Sequence, residues 1–351
     1  MISRTELLMQ ISNHIKNYRL GELGYDLDEG HVERWVSQFC QDDQYVVLQE
    51  TNALLSQCYF SKGKIKQFLF DVIECDDLWE TEDIFTEIQH TQFLDIQSKG
   101  SSQSHLLELL GDLLEENYIV ELSTKSTAAT TRYVYLDDCL FSGNTLRRDL
   151  EKWIDSAKDN SLLDIIFVAT YSAGEYYIRN KILPELCDPK GIRYRIWALK
   201  RFNNNSRDLF NYDCLWSKET YDDNISAYIE CLNEQAKANG WQIRSFREKN
   251  YTSTLYTNDA SREIYEKAML KAGAYIYSCC SHPKPSMRPM GYEFFNSFGF
   301  GAFFATYKNI SNNCPLAFWW GDPDADDFHP FSKWYPLLPR KGNKNDGFTW
   351  E

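Results

Sequence analysis

The feature that most constrains this chain is residues 133–146, YVYLDDCLFSGNTL, where an apolar strand pattern ends in two acids and a helix begins after a short loop. Strand patterns recur on both sides of this segment, and helix patterns separate them. Strands that alternate with helices indicate βαβ units and a mostly parallel sheet, so the sequence predicts an α/β fold. The predicted strands cover residues 93–97, 118–122, 132–136, 164–170 and 193–199.

Two flanking regions complete the predicted architecture. Residues 1–90 are predicted to be helical, because Ser3 and Glu6 form a capping box and apolar residues follow at helical spacing. Residues 91–207 form the predicted core, a mostly parallel sheet flanked by helices. Residues 208–351 form a predicted C-terminal α+β extension. Its strand patterns lie at residues 301–307 and 315–320.

The composition excludes several classes of protein. The chain of 351 residues is 43% hydrophobic and 15% aromatic, so it can bury a large core and is not a disordered chain. No apolar run approaches the roughly 18 residues of a membrane span. A net charge of −14 argues against a bulk electrostatic grip on nucleic acid. Ten cysteines without a CxxC pair, and no secretory signal, predict reduced thiols in a cytoplasmic protein.

The loop after the strand at 132–136 carries groups that suit a phosphorylated sugar. A helix N-terminus attracts phosphate through its backbone N–H groups, and Gly143 lets the backbone approach closely. Asp137 and Asp138 can accept hydrogen bonds from ribose hydroxyls, so these two residues are the candidate catalytic carboxylates. The residues assigned to the 5′-phosphate are Ser142, Gly143, Asn144 and Thr145.

This segment resembles the phosphoribosyl-pyrophosphate-binding motif of type I phosphoribosyltransferases. That motif consists of an apolar strand, two acids, three variable residues, Thr-Gly, one further residue and Thr. Asp137, Asp138, Gly143 and Thr145 match it directly, and Ser142 replaces a Thr conservatively. The resemblance implies a phosphoribosyltransferase-like fold and a nucleotide or phosphoribosyl pyrophosphate as ligand.

Two other interpretations of a strand that ends in Asp-Asp fail on the sequence. A Walker B element needs a P-loop, and the chain contains no GxxxxGK[ST]. A response-regulator receiver needs a third Asp at the end of a later strand, and residues 165–171 supply none.

The same resemblance implies a pyrophosphate-receiving loop after the first strand of the core. A short polar segment between the predicted strand at 93–97 and the next helix occupies that place. Its candidate residues are Lys99, Gly100, Ser101 and Ser102. The resemblance also implies Mg²⁺, held with the substrate by Asp137 and Asp138, either directly or indirectly.

One position departs from the family pattern. In purine-salvage members, an Asp three residues after the second acid acts as a general base toward the purine ring. Phe141 occupies that position here, which speaks against ordinary salvage of hypoxanthine or guanine. It favours the alternative of a non-catalytic subunit that senses a nucleotide or phosphoribosyl pyrophosphate.

Three segments together resemble a wider family, the phosphoribosyltransferase-like effectors of bacterial anti-phage systems associated with retrons. They are HVERWVSQF at 31–39, YLDDCLFSGNTL at 135–146, and a C-terminal aromatic part that combines residues 288–320 with 334–340. The resemblance implies a toxin-like enzyme kept silent by partners. The implied partners are a reverse transcriptase with its RNA and DNA, and a small DNA-binding protein.

The C-terminal segments also have a plainer interpretation. The tryptophans at 319, 320 and 334 suit a hydrophobic core better than a base-binding hood over the sugar site. The acids between 322 and 327 suit a solvated loop, because the glycine and final glutamate of a calcium loop are missing. The chain shows no group of His or Lys residues in the arrangement that a nuclease active site would need, which speaks against a direct nuclease.

Overall fold

The structure, a computed structural model, describes residues 2–81, 83–208 and 210–340. Its strands are β1 Tyr59–Phe60, β2 Thr91–Leu94, β3 Arg132–Leu140, β4 Leu162–Tyr171, β5 Arg193–Phe202 and β6 Ala305–Thr306. Its α-helices are α1 Arg4–Ile15, α2 Glu29–Val36, α3 Gln44–Cys58, α4 Lys62–Ile73, α5 Asp76–Trp79, α6 Ile84–Gln89, α7 Ser102–Tyr118, α8 Asn144–Trp153, α9 Ser172–Tyr177, α10 Leu183–Cys187, α11 Asp223–Asn239, α12 Asp259–Ser278 and α13 Leu316–Trp319.

Contacts divide the described residues into two compact units. One, called here the sheet unit, contains residues 62–205. The other, called the helical unit, combines the residues up to Ser61 with those from Ser206 onward. The three-part division of the sequence into 1–90, 91–207 and 208–351 stays a prediction, and residues 341–351 lie outside the described residues.

The sheet unit is built on four strands that run parallel in the order β2-β3-β4-β5. All ten residues of β4 are buried, as expected for a central parallel strand covered on both faces. Helices follow β2, β3 and β4 in turn along the chain. The predicted α/β class with a parallel sheet flanked by helices is confirmed.

The connection from β2 to β3 reverses direction across the sheet. The predicted strand at 118–122 is wrong: α7 continues to Tyr118, and Ile119 ends it in a left-handed conformation with φ 58°. The following segment lies along the far edge of β2, where the backbone N–H of Phe93 donates to the carbonyl of Ser123 over 2.9 Å. The chain then crosses to β3 on the other edge. The carboxyl ends of β2 and β3 lie side by side at one edge of the sheet, where ligands of open α/β sheets bind.

One face of the sheet forms a continuous apolar core with α8 and α10. Tyr133 and Tyr135 of β3 belong to this cluster, as do Leu150 and Trp153 of α8. Tyr133 and Trp153 meet edge to face with ring centroids 4.9 Å apart. This packing fixes α8 against β3 and hence fixes the position of the helix N-terminus at the carboxyl end of the strand.

Charged residues lie on the opposite face, beneath α5. The Asp164 carboxylate is fully buried and accepts a 2.7 Å hydrogen bond from Arg195 Nε and a 2.8 Å bond from Trp197 Nε1. Arg195 also donates to the carbonyl of Leu78 over 2.6 Å. A buried charge needs such partners, so this cluster ties α5 to the sheet.

The helical unit joins the two ends of the described chain in one core. The indole N–H groups of Trp35 and Trp334 both donate to the carbonyl of Ala317, over 2.8 and 2.9 Å. His31 in α2 bridges Tyr335 and the carbonyl of Leu337. Trp334 and Tyr335, which belong to the segments considered as a base-binding hood, thus make core contacts within this unit.

The two strand predictions in the C-terminal extension are largely wrong. Only residues 305–306 of the segment at 301–307 form a strand, and residues 316–319 form the short helix α13. Gly301 has φ 68°, and a Cβ there would lie 2.0 Å from the carbonyl oxygen of Leu215. Such a left-handed glycine in close backbone contact interrupts a strand. Within the described residues, no helix combines the length and apolarity needed to cross a membrane.

Candidate functional site

The two acids of the sequence motif lie within β3 rather than after it. The strand was predicted to end at Leu136 but continues to Leu140, so Asp137 and Asp138 are strand residues. Backbone pairing with β4 persists beyond the acids, at Cys139 and Leu140, and this pairing extends the strand. Side chains of successive strand residues point to opposite faces, so the two carboxylates have different surroundings.

The Asp137 carboxylate is buried and hydrogen-bonded to the loop that follows β2. Ser102 Oγ donates to Asp137 Oδ1 over 2.6 Å, and Gln97 Nε2 donates to Oδ2 over 3.2 Å. The backbone N–H of Asp138 adds a 2.9 Å bond to Oδ1. Burial raises the pKa of Asp137 to about 6, and the negative charge of Asp149 adds to the rise, while the Ser102 hydrogen bond opposes it.

A second buried carboxylate lies behind the first. Asp149 of α8 is fully buried and accepts hydrogen bonds from Ser98 through its backbone N–H, at 3.2 Å, and its hydroxyl, at 2.9 Å. The Tyr135 hydroxyl lies 3.3 Å from Asp149 Oδ2 and 3.5 Å from Asp137 Oδ2. Burial and these carboxylates raise the pKa of Tyr135, so its hydroxyl stays a donor. The loop after β2, the strand β3 and the helix α8 are thereby linked.

The predicted phosphate residues lie at the N-terminus of α8. Gly143 caps this helix in a left-handed conformation with φ 83°, while Ser142 and Asn144 are exposed and Thr145 is half-buried. The first backbone N–H groups of a helix have no partner within it and carry a partial positive charge. The arrangement can therefore receive an anion, as the sequence predicts.

Two glycines allow the phosphate loop to pack closely against α9 and the turn of π-helix at Ile178–Ile182. A Cβ on Gly174 would lie 1.9 Å from the carbonyl oxygen of Phe141, and one on Gly143 would lie 2.5 Å from Ile178 Cγ1. The start of α9 thus supports the back of the phosphate loop. Gly174 is a functional residue that the sequence alone does not indicate.

Phe141, at the position of the purine-salvage general base, takes part in an aromatic stack. Its ring lies 5.2 Å from that of Tyr171 at an interplanar angle of 19°. Tyr171 contacts Phe202 in turn, with centroids 5.0 Å apart. The position thus offers an apolar aromatic surface, where salvage enzymes have a titratable group.

The predicted pyrophosphate loop is brought to the same edge of the sheet. Lys99 and Ser101 are exposed, and Gly100 has φ 95°, a conformation that favours glycine. Ser102 differs from the prediction of a loop residue: it begins α7 and directs its hydroxyl to Asp137. Gln103 closes the base of the loop, because its side-chain oxygen accepts from the backbone N–H groups of Ile96 and Gln97.

Sequence reasoning missed several residues of this network. The sequence does contain an indication of Asp149. It lies on the same face of α8 as Leu146, Leu150 and Trp153, and a carboxylate on such an apolar face is unusual. Gln97, Ser98 and Gln103 have no such indication, since amides and hydroxyls are common in loops.

Magnesium stays a prediction for this site, and Asp137 and Asp138 are the residues that would hold it together with a substrate. Among the described residues, no group of three or more His, Cys, Asp or Glu side chains is arranged to hold a metal by itself. Mg²⁺ commonly takes one or two carboxylates and completes its shell with substrate phosphates and water. Asp137 and Asp138 supply two such carboxylates.

A parallel sheet with two acids, a glycine-capped helix N-terminus and a polar loop at the carboxyl ends of its strands is the arrangement that the resemblance to phosphoribosyltransferases implies. The chain matches the family model described as PRTase-CE over residues 32–340, and it belongs to that family. No curated protein matches the chain, and neither does any solved structure.

Proposed function

We propose that the site binds a 5-phosphoribosyl group and acts at its C1 carbon. The observation that carries this proposal is the direct link between the predicted pyrophosphate segment and the acid pair: Ser102, at the start of α7, donates to Asp137 of β3, and α8 begins just after that strand. The N-terminus of α8 holds the 5′-phosphate in the proposed complex. Asp137 and Asp138 accept from the ribose hydroxyls, and Lys99 with the Gly100–Ser102 backbone faces a leaving pyrophosphate or base.

The proposed reaction makes or breaks an N-glycosidic bond. The bond from C1 to the leaving group breaks, its electron pair departs with that group, and an acceptor forms the new bond to C1. The transition state resembles an oxocarbenium ion, so fixed carboxylates near the ring stabilise its positive charge. Asp137 and Asp138 would hold Mg²⁺ together with the substrate, and the ion would supply positive charge for the leaving phosphates.

The biological role that we propose is that of a cytoplasmic effector in a retron-type anti-phage system. The support is the sequence resemblance of residues 31–39, 135–146, 288–320 and 334–340 to such effectors. The proposed partners that keep the activity silent are a reverse transcriptase with its nucleic acid and a small DNA-binding protein. Co-purification of these components with the tagged effector tests the assignment, and toxicity that persists in their presence contradicts it.

Calorimetric titration with phosphoribosyl pyrophosphate and Mg²⁺ tests the site itself. Loss of a hydrogen bond to a charged group costs about 1.5–3 kcal/mol, so Asp138→Asn should bind at least about tenfold more weakly and lose turnover while keeping its circular dichroism spectrum. Asp155→Asn is the matched control, since Asp155 is an exposed acid of the same unit. Binding by Asp138→Asn at wild-type affinity, or turnover at the wild-type rate, contradicts the proposal.

A non-catalytic sensor is the second candidate function, and Phe141 favours it. The position of the salvage base is occupied by a ring stacked on Tyr171, which cannot exchange a proton. Release of pyrophosphate or free base from a panel of nucleotides separates the two functions. Binding without any release supports the sensor.

A further inference from the structure

The buried carboxylate of Asp149 is hydrogen-bonded to the loop that follows β2. Its side chain is fully buried in α8, and both oxygens have donors: Oδ1 accepts from Ser98 and Oδ2 from Tyr135. Burying a carboxylate is unfavourable unless hydrogen bonds compensate it. A purely apolar side chain would fill the same stripe of α8 without that cost, so the carboxylate calls for a specific role.

The hydrogen bonds around the loop show what the role is. Gln103 fixes the base of the loop through the backbone of Ile96 and Gln97, and Ser102 fixes its end on Asp137. Asp149 holds the loop at Ser98, the first residue of the exposed segment at 98–101. The loop tip is therefore positioned from α8, the helix whose N-terminus is the candidate phosphate site.

We propose that Asp149 is a positioning residue that holds the loop at 97–102 ready to receive pyrophosphate, in register with the phosphate site of α8. The inference rests on the proposed function of the site. A loop held in its binding conformation avoids the entropic cost of ordering when the ligand arrives. Asp149 thus contributes to the affinity for the pyrophosphate part of the ligand, while the sugar phosphate at α8 and β3 binds independently of it.

Two ligands that differ only in the pyrophosphate test this role. Phosphoribosyl pyrophosphate and ribose 5-phosphate, each with Mg²⁺, are titrated into the full chain. Asp149→Leu removes every acceptor with a side chain of the same branching but larger volume, and it should weaken phosphoribosyl pyrophosphate at least about tenfold, with ribose 5-phosphate unchanged within about twofold. Asp149→Asn keeps one acceptor oxygen for Ser98 and should restore most of the affinity. Hydrogen exchange at the Ser98 amide should rise in Asp149→Leu and fall back in Asp149→Asn.

A second variant keeps the test decisive if Asp149→Leu does not fold. Ser98→Ala removes the hydroxyl link alone and should weaken phosphoribosyl pyrophosphate by about threefold, again without an effect on ribose 5-phosphate. Equal losses for both ligands, or no loss for either, overturn the positioning role and leave the proposed function standing. Wild-type protein that binds neither ligand overturns the proposed function and this inference with it.

Discussion

Two buried carboxylates in neighbouring strands have opposite surroundings. Asp164 in β4 faces the guanidinium of Arg195, with Nε 2.7 Å from its Oδ1. Asp137 in β3 accepts instead from a hydroxyl, an amide and a backbone N–H, which carry no charge. Burial raises the pKa of Asp137, and the hydrogen bonds from neutral donors offset the rise only in part.

Replacing Asp137 with Asn should stabilise the protein at neutral pH. Because the folded-state pKa is raised from 3.8 to about 6, the folded state binds the proton more tightly than the unfolded state does. The protonated Asp137 adds to the free energy of unfolding. This contribution is fully present below pH 3.8 and is lost as the pH rises through about 6. Urea unfolding of Asp137→Asn relative to wild type should therefore improve by on the order of 2 kcal/mol between pH 4.5 and 7.5.

Asp164→Asn is the contrasting control for this pH series. It removes the buried charge that faces Arg132 and Arg195, leaving only Glu87 near the buried Arg132 and Glu80 on the half-buried Arg195, and should destabilise by up to about 3–5 kcal/mol at neutral pH. If the free energies of unfolding of wild type and Asp137→Asn changed in parallel with pH, the ionised Asp137 carboxylate would not destabilise the folded state.

Close backbone approach decides how the elements around the phosphate loop pack. Gly174 lies in α9, where its missing side chain makes room for the carbonyl of Phe141. The packing of the phosphate loop therefore depends on α9, a helix that comes later in the chain, after β4.

Gly174→Ala should displace the phosphate loop. The added Cβ would lie 1.9 Å from backbone that cannot move without shifting Phe141 and Ser142. We expect about 1–3 kcal/mol of destabilisation in urea unfolding and weaker binding of ribose 5-phosphate. Gly111→Ala in α7 is the matched control, since its Cβ would have its nearest neighbour 3.9 Å away. It should stabilise by about 0.5–1 kcal/mol. Ribose 5-phosphate binding by Gly174→Ala at wild-type strength would show that the loop tolerates the shift.

The elements that the sequence predicts well are those with local signals. The cap at Ser3 is confirmed, because its hydroxyl accepts from the backbone N–H of Glu6, and β4 and β5 lie close to their predicted ranges. The misses involve partners distant in sequence. Pairing with β4 extends β3 past the acids, and Leu215 constrains the backbone at Gly301. The same holds in the site: the motif at 137–145 is local and predictable, whereas its link to Ser98 runs through Asp149.

The helical unit is assembled from two sequence segments separated by the sheet unit. Residues 1–61 contribute α1 to α3, and residues from 206 onward contribute α12, which packs on α3. Trp35 is fully buried and hydrogen-bonded to Ala317, so the N-terminal helices depend on the C-terminal segment for their core.

A fragment of residues 1–90, the predicted helical region, should not fold cooperatively. It lacks the surfaces that cover Trp35 and α3, and most helical stability in proteins comes from tertiary packing. Thermal melting followed by near-ultraviolet circular dichroism should show no transition for this fragment, whereas residues 62–205 should melt cooperatively. A sharp melt of the 1–90 fragment would establish an independent N-terminal domain.

The split construction of the helical unit also sets an order of events during synthesis. A ribosome adds about 5–20 residues per second, so roughly 14–56 s separate the appearance of Trp35 from that of Ala317. During that interval the indole N–H of Trp35 lacks its native acceptor, the carbonyl of Ala317. The continuous sheet unit has all of its strands by residue 202. The candidate site is therefore complete on the nascent chain before the helical unit can close.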